Sequence, residues 1–166
     1  MPMYEVRGPF EIDKKLIEDG KNKLPEFWKS WEVKRYADKI GIYVFGLRSG
    51  RSILPCYVGK TKARFSGEVF TDRNLLKYLR AMKTYKRFTP VLFLVVRPTT
   101  KGKVAKNELR EVEQNLIALG VVRNPDIQNI ASKPSVPTWS IGGVVRPGMG
   151  KPSGAAKKFK KMMGVE

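Results

Sequence analysis

The sequence predicts an α/β protein, a small α/β sandwich whose three-stranded, mainly antiparallel central sheet is flanked by helices and carries N- and C-terminal extensions. Three observations predict it. Two strand-like runs, residues 41–47 (GIYVFGL) and 53–58, are separated by a polar break at 48–52, the pattern of a hairpin. Residues 91–96 (VLFLVV) are apolar at every position, as a central strand covered on both faces requires. Two segments with helical periodicity, 73–83 and 103–119, follow the hairpin and the third strand. The order strand, strand, helix, strand, helix is not the alternation of a doubly wound sheet.

Each element has its own signals. Residues 1–39 read as an N-terminal extension packing on the core, with an edge strand at 4–7 and a short helix at 25–36. Trp28 and Trp31 stand three apart there, as one packing stripe would place them. Residues 40–132 form the core domain. Its first long helix starts at 73, with Thr71 or Asp72 as N-cap; its second is expected to stop at Gly120, a good residue just past a helix end. Residues 133–166 form a basic tail with seven Lys or Arg against one acid, Glu166. Prolines 134, 137, 147 and 152 keep its first half irregular. Ser153 then caps a short helix with Phe159, Met162 and Met163 on one face and lysines on the other.

Composition narrows the function. Lys and Arg number 33 against 15 acids, a formal net charge of +18. Charge of that size repels itself in the folded state, and a polyanionic partner is its usual use. Residues 1–15 carry no apolar run and 91–96 is too short to span a bilayer, so no signal peptide or membrane partner is expected, and a cytoplasmic location is. One cysteine, Cys56, and no histidine exclude internal disulfides, zinc fingers, zinc deaminases, Ser-His-Asp triads and Cys-His proteases. Catalysis, if present, must use carboxylates, Tyr, Lys, Arg, Ser or Thr with a hard, oxygen-seeking metal. Gly59-Lys60-Thr61 lacks the earlier glycine of a phosphate loop, since Leu54 stands there.

On the second helix Leu109, Val112, Leu116 and Ile117 make one apolar stripe. Glu108 and Glu111 project outside it, whereas Glu113 falls within it. A carboxylate so placed needs a cationic partner, a raised pKa or a metal ion. On the first helix Arg73, Lys77, Arg80 and Lys83 recur on one side, opposite Leu75, Leu76, Leu79 and Met82. With no acid between Arg73 and Arg97, that side reads as a phosphate-backbone stripe.

Gly41-Ile42-Tyr43 and Tyr57-Val58-Gly59, in this order on adjacent strands of one hairpin, resemble the two signatures of the GIY-YIG nuclease superfamily. Glu113, in EQNLI, stands where that family has an acid on a later helix, and Asn129, in NIA, where it has an asparagine. Lys60 resembles the basic residue that several members carry after the second triplet. The tail, with Trp139 and Gly142-Gly143-Val144, is similar to a subgroup of short bacterial members.

The resemblance covers about residues 41–131. It implies a metal-dependent endonuclease hydrolysing phosphodiester bonds, with DNA preferred over RNA and Mg²⁺ or Mn²⁺ held by Glu113. Tyr43 or Tyr57 would act as general base, its phenol favoured as phenolate by Lys60. An arginine would clamp the phosphate. Ten residues on from Tyr57 stands Gly67, so the arginine is Arg64, taken first, or Arg73, or absent. Thirteen residues separate the triplets, more than relatives usually show. Two other readings fit the same charge: a non-catalytic nucleic-acid-binding module on this scaffold, and a structural protein of a ribonucleoprotein.

Overall fold

The structure, a computed structural model, describes residues 3–20, 23–98, 104–129, 140–145 and 151–165. Their elements are β1 (Met3–Glu11), α1 (Lys14–Asp19), two 3₁₀ turns (Leu24–Lys29 and Lys34–Tyr36), β2 (Gly41–Ser49), β3 (Ser52–Thr61), α2 (Phe65–Glu68), α3 (Asp72–Thr84), β4 (Thr89–Val96), α4 (Glu108–Arg123), β5 (Ser140–Ile141) and α5 (Gly154–Met163). Ile130, Ala131, Pro134, Pro137, Trp139, Pro147 and the expected helical start at 103 lie outside the described residues.

The expected three-stranded sheet is corrected to five strands in the order β3-β2-β4-β1-β5. The sheet is mixed, because β5 runs parallel to β1 while every other neighbour is antiparallel. The expected edge strand at 4–7 is β1, an interior strand paired with β4 from Glu5↔Val96 to Glu11↔Val91. Tyr4 and Val6 alternate into the core, the period-2 pattern of a strand with one buried face. Gly8-Pro9 sits at the break in register between Arg7 and Phe10, where an irregularity admits proline. That dipeptide hides the strand from a pattern search.

Residues 91–96 do occupy the sheet centre, and all six are buried. One face packs Phe45, Tyr57, Leu92 and Leu94 against Phe65, Tyr78 and the 3₁₀ residues Phe27 and Trp28. The other packs Val44, Val58, Phe93 and Val95 against Leu109, Val112 and Leu116 of α4 and Phe159 of α5. Trp31 is not part of a stripe with Trp28. The 3₁₀ turn ends at Lys29, and Trp31 beyond it is 78% exposed.

The hairpin is longer and tighter than the sequence predicts. β2 and β3 pair down to Ser49↔Ser52 around Gly50, whose φ of +60° suits glycine. β3 is an edge strand, and Pro55 lies beside the bulge at Cys56, where proline is tolerated. α4 does not stop at Gly120 but continues to Arg123. Gly120 is there for packing: a Cβ on it would stand 2.8 Å from Ile127 Cδ1. α5 forms as expected, with the Ser153 hydroxyl accepting from the Ala156 N–H at 3.1 Å, and it docks by Ala156, Phe159, Met162 and Met163. No helix among the described residues is long and apolar enough to cross a membrane.

Candidate active site

Strand pairing brings the two triplets together. Tyr43 pairs with Gly59 across the hairpin, and Phe45 with Tyr57, so the phenols of Tyr43 and Tyr57 lie on the same face with ring centroids 6.1 Å apart. Both glycines have steric reasons. Gly41 has φ +152° and faces the Val95 carbonyl, which an added Cβ would meet at 2.1 Å. At Gly59 a Cβ would lie 2.3 Å from Tyr43 Cζ, because that ring rests on the glycine. We therefore expect Gly59→Ala to lose about 2–3 kcal/mol, the upper part of the range for overpacking, measured by urea denaturation. An unchanged midpoint would show that the ring is not seated there.

Both phenol oxygens accept from α3. Asn74 Nδ2 of α3 donates to Tyr43 Oη at 2.7 Å, and the Tyr43 and Tyr57 rings are neighbours, tilted at 52° to each other. Lys77 Nζ, also on α3, donates to Tyr57 Oη at 3.2 Å and lies 4.3 Å from the centre of that ring. Burial, followed by the neighbouring Tyr57 phenol and the Glu68 carboxylate, pushes Tyr43 far above the ordinary phenol value. Burial and then the Glu113 carboxylate push Tyr57 up as well, against smaller opposing effects of the neighbouring Tyr43 hydroxyl and of Arg73. Both phenols are therefore neutral at neutral pH. The oxygen of Tyr57 accepts from Lys77, which leaves its proton available to an incoming acceptor.

The expected partnership of Lys60 with a phenol is corrected. Lys60 Nζ pairs with Glu113 Oε2, and the cation on Tyr57 is Lys77. Glu113 is not sealed in the core: 15% of its side chain is exposed, and 33% of that of Lys60. The glutamate that is buried is Glu108, expected on the outside of α4. It accepts from Arg97 Nε at 2.8 Å and from Tyr4 Oη at 2.7 Å. The N-terminal strand and Arg97, unseen as partners in the sequence, draw it inward.

Arg64 is the exposed N-cap residue of the short helix α2, its backbone N–H bonded to Thr61 Oγ1 at 3.1 Å. The arginine whose charge acts on both Tyr57 and Lys77 is Arg73. Burial first and Arg73 second hold the Lys77 ammonium below its usual pKa. Arg80 and Lys83, further along α3, are exposed. Leu76 is exposed too, while Asn74 and Tyr78 take the buried face. Asn74 and Glu68 are site residues that sequence reasoning missed. An asparagine one position from Leu75, on the apolar side of α3, was the available signal.

Asn129 braces the edge strand. Its Oδ1 accepts from the Val58 N–H at 2.8 Å and its Nδ2 donates to the Val58 carbonyl at 2.7 Å. Just before it, Gln128 N–H donates to the Cys56 carbonyl and Asn124 Nδ2 to the Pro55 carbonyl. The segment after α4 thus covers backbone groups that an edge strand would leave open. Asn129 sets the position of Tyr57 through its neighbour. Asn129→Ala should cost about 1–3 kcal/mol and speed hydrogen exchange at the Val58 amide. Unaltered protection of that amide would contradict the bracing role.

Glu113 and Arg73 both act electrostatically on Tyr57 and Lys77, and Lys60 pairs with Glu113. These five residues therefore make one neighbourhood, richer in cations than in acids, with Glu68 near the phenols. It can neutralise a phosphate through Lys60, Lys77 and Arg73 and donate one hydroxyl to it. Among the described residues no group of three or more His, Cys, Asp or Glu is arranged to hold a metal ion. A single carboxylate nonetheless suits Mg²⁺, which keeps several waters and shares its ligands with substrate phosphate. Comparison of the chain with protein families, with curated proteins and with solved structures finds no match in any of the three.

Proposed function

We propose that the protein is a GIY-YIG-like, metal-dependent endonuclease that hydrolyses phosphodiester bonds in nucleic acid, DNA by preference. One observation carries this reading: β2, β3, α3 and α4 each bring a residue type suited to that chemistry to the neighbourhood of the edge strand β3. These are Tyr43 and Tyr57, Lys60, Lys77 with Arg73, and Glu113. Lys77 and Arg73 take the charge of the scissile phosphate, and Arg73 is a better candidate for the clamp than Arg64 because its charge already reaches Tyr57. The Tyr57 proton meets a non-bridging oxygen. Raised phenol pKa values make the tyrosines donors and argue against a phenolate base. Glu113 would hold Mg²⁺ or Mn²⁺, which supplies Lewis-acid activation of water and charge relief at the leaving oxygen. Lys60 must then release Glu113 and turn to the phosphate, a transfer its exposure permits.

The Lys60–Glu113 ion pair also favours a second reading, a non-catalytic nucleic-acid-binding module, because it satisfies the carboxylate without a metal. Nicking of supercoiled plasmid and cutting of single-stranded DNA in Mg²⁺, with EDTA and Glu113→Ala alongside, separates the two. Metal-dependent cleavage lost in the variant supports the nuclease. Salt-sensitive binding without cleavage supports the module.

A further inference from the structure

The turn of the β2–β3 hairpin, the C-terminus of α4 and α5 enclose a cleft of about 370 Å³, and Arg48, Arg51, Arg123, Lys158 and Lys161 line it. A second depression of about 610 Å³ shares Arg123 and Lys161 with it and adds Lys157 and Lys160. Among the described residues neither has an acid in its wall. Arg48 is paired with Glu11. No carboxylate pairs with the other six cations among the described residues.

We infer that this groove is a second binding surface for the sugar-phosphate backbone of a nucleic acid, separate from the neighbourhood of Tyr57. Its cations come from three elements and converge only in the folded chain. Arg123 is positioned: Nε donates to the Met162 carbonyl at 3.1 Å, and its side chain lies over Gly164, where a Cβ would stand 2.5 Å from Arg123 Cδ. Lys160 and Lys161 in the last turn of α5 also complement the helix dipole. That effect accounts for neither Lys157 and Lys158, nearer the start of the helix, nor Arg48 and Arg51 on the hairpin. Within α5, Lys157 and Lys161, and Lys158 and Lys161, are like charges at helical contact spacing, which destabilises a helix with no anion to relieve it.

The groove is remote from that neighbourhood. From Tyr43 to Ser49 the strand advances roughly 20 Å at about 3.3 Å per residue. α5 packs on the face of the sheet opposite α3. A nucleic acid engaged by both surfaces must wrap an edge of the domain or present two segments.

The inference rests on the nucleic-acid half of the proposed function but not on catalysis, so it is tested by binding. Anisotropy of a fluorescein-labelled DNA duplex in EDTA, titrated between about 0.05 and 0.3 M salt, gives affinity and salt slope. Arg51→Gln/Lys157→Gln/Lys158→Gln changes three exposed residues that the fold does not use. We expect the logarithmic salt slope to shrink by about 2 to 3 and affinity at 0.15 M salt to fall about tenfold or more. Per-complex plasmid nicking should stay at the wild-type rate.

A slope and affinity equal to wild type would overturn the groove, whether or not the protein cuts DNA. So would stronger competition by anionic phospholipid vesicles than by unlabelled duplex. If the slope shrinks while wild type shows no cleavage, the groove stands and the nuclease reading falls alone.

Discussion

Glu113→Gln is expected to cut plasmid about 10²- to 10³-fold more slowly than wild type in Mg²⁺, the scale on which a group that stabilises transition-state charge is lost. Its duplex affinity in EDTA should be unchanged or slightly tighter. Glutamine keeps the volume of the side chain and an oxygen for Lys60 Nζ, so the α4–β3 contact survives while the negative charge goes. Because Glu113 and Lys60 are both partly exposed, this change should leave the melting temperature within a few degrees, as is usual for substitutions outside the core. Removal of a carboxylate beside a phosphate site also removes a repulsion, hence the direction expected for binding.

The reciprocal change is sharper still. Lys60→Gln frees Glu113 from its ion pair, so less Mg²⁺ should be needed for half-maximal activity. Maximal turnover should nonetheless fall, since the phosphate has lost a cation. A variant that raised turnover would mean the ion pair merely blocks the site. Undiminished cleavage by Glu113→Gln would end the hydrolytic reading altogether.

Why part of this site was legible and part was not follows from the range of the interactions. The hairpin is local: the pairing of Tyr43 with Gly59 needs only an apolar run, a polar break and a second run, all within about twenty residues. The apolar completeness of residues 91–96 likewise announces a strand with neighbours on both sides. It cannot say which neighbours, and β1, almost ninety residues away, has the pattern of a short edge strand because Gly8-Pro9 interrupts it.

The helical wheel of α4 located its stripe correctly but misplaced the buried acid. A wheel knows nothing of Tyr4, on β1, and Arg97, just beyond the end of β4, which make burial of Glu108 tolerable. Gly120 reads as a helix stop in sequence because glycine favours ends. In the fold, Ile127 returns against it and the helix runs on. In the sequence Lys77 is only one of a row of cations. Its contact with Tyr57 depends on the angle at which α3 crosses the sheet, which Asn74, bonded to Tyr43 and to the Glu68 carbonyl, helps to hold.

The largest stability effect is expected at that buried acid. Arg97 and Glu108 have only 9% and 7% of their side chains exposed. Arg97 donates to both carboxylate oxygens, at 2.8 and 3.3 Å, and Tyr4 adds a third bond. Glu108→Ala leaves the guanidinium buried without its charge partner, and breaking a buried pair from one side costs about 3–5 kcal/mol. For a chain of this size that corresponds to a fall in melting temperature of roughly 10 °C.

The direction of pH dependence follows from the same contacts. Burial raises the Glu108 pKa, but the hydrogen bonds from Arg97 and Tyr4 and the Arg97 charge together outweigh it and leave the carboxyl below its ordinary value. A carboxyl depressed on folding stabilises the native state above its unfolded pKa, near ~4.3. That contribution is lost as pH falls through the folded value. Wild type should therefore lose stability on acidification below about pH 4 more steeply than Glu108→Gln.

Replacing both partners, as Arg97→Met/Glu108→Leu, should be less damaging than Glu108→Ala alone, because no buried charge is stranded. A double variant as unstable as Glu108→Ala, or more so, would show instead that loss of the pair's own bonds, and not the stranding of a buried charge, sets the cost.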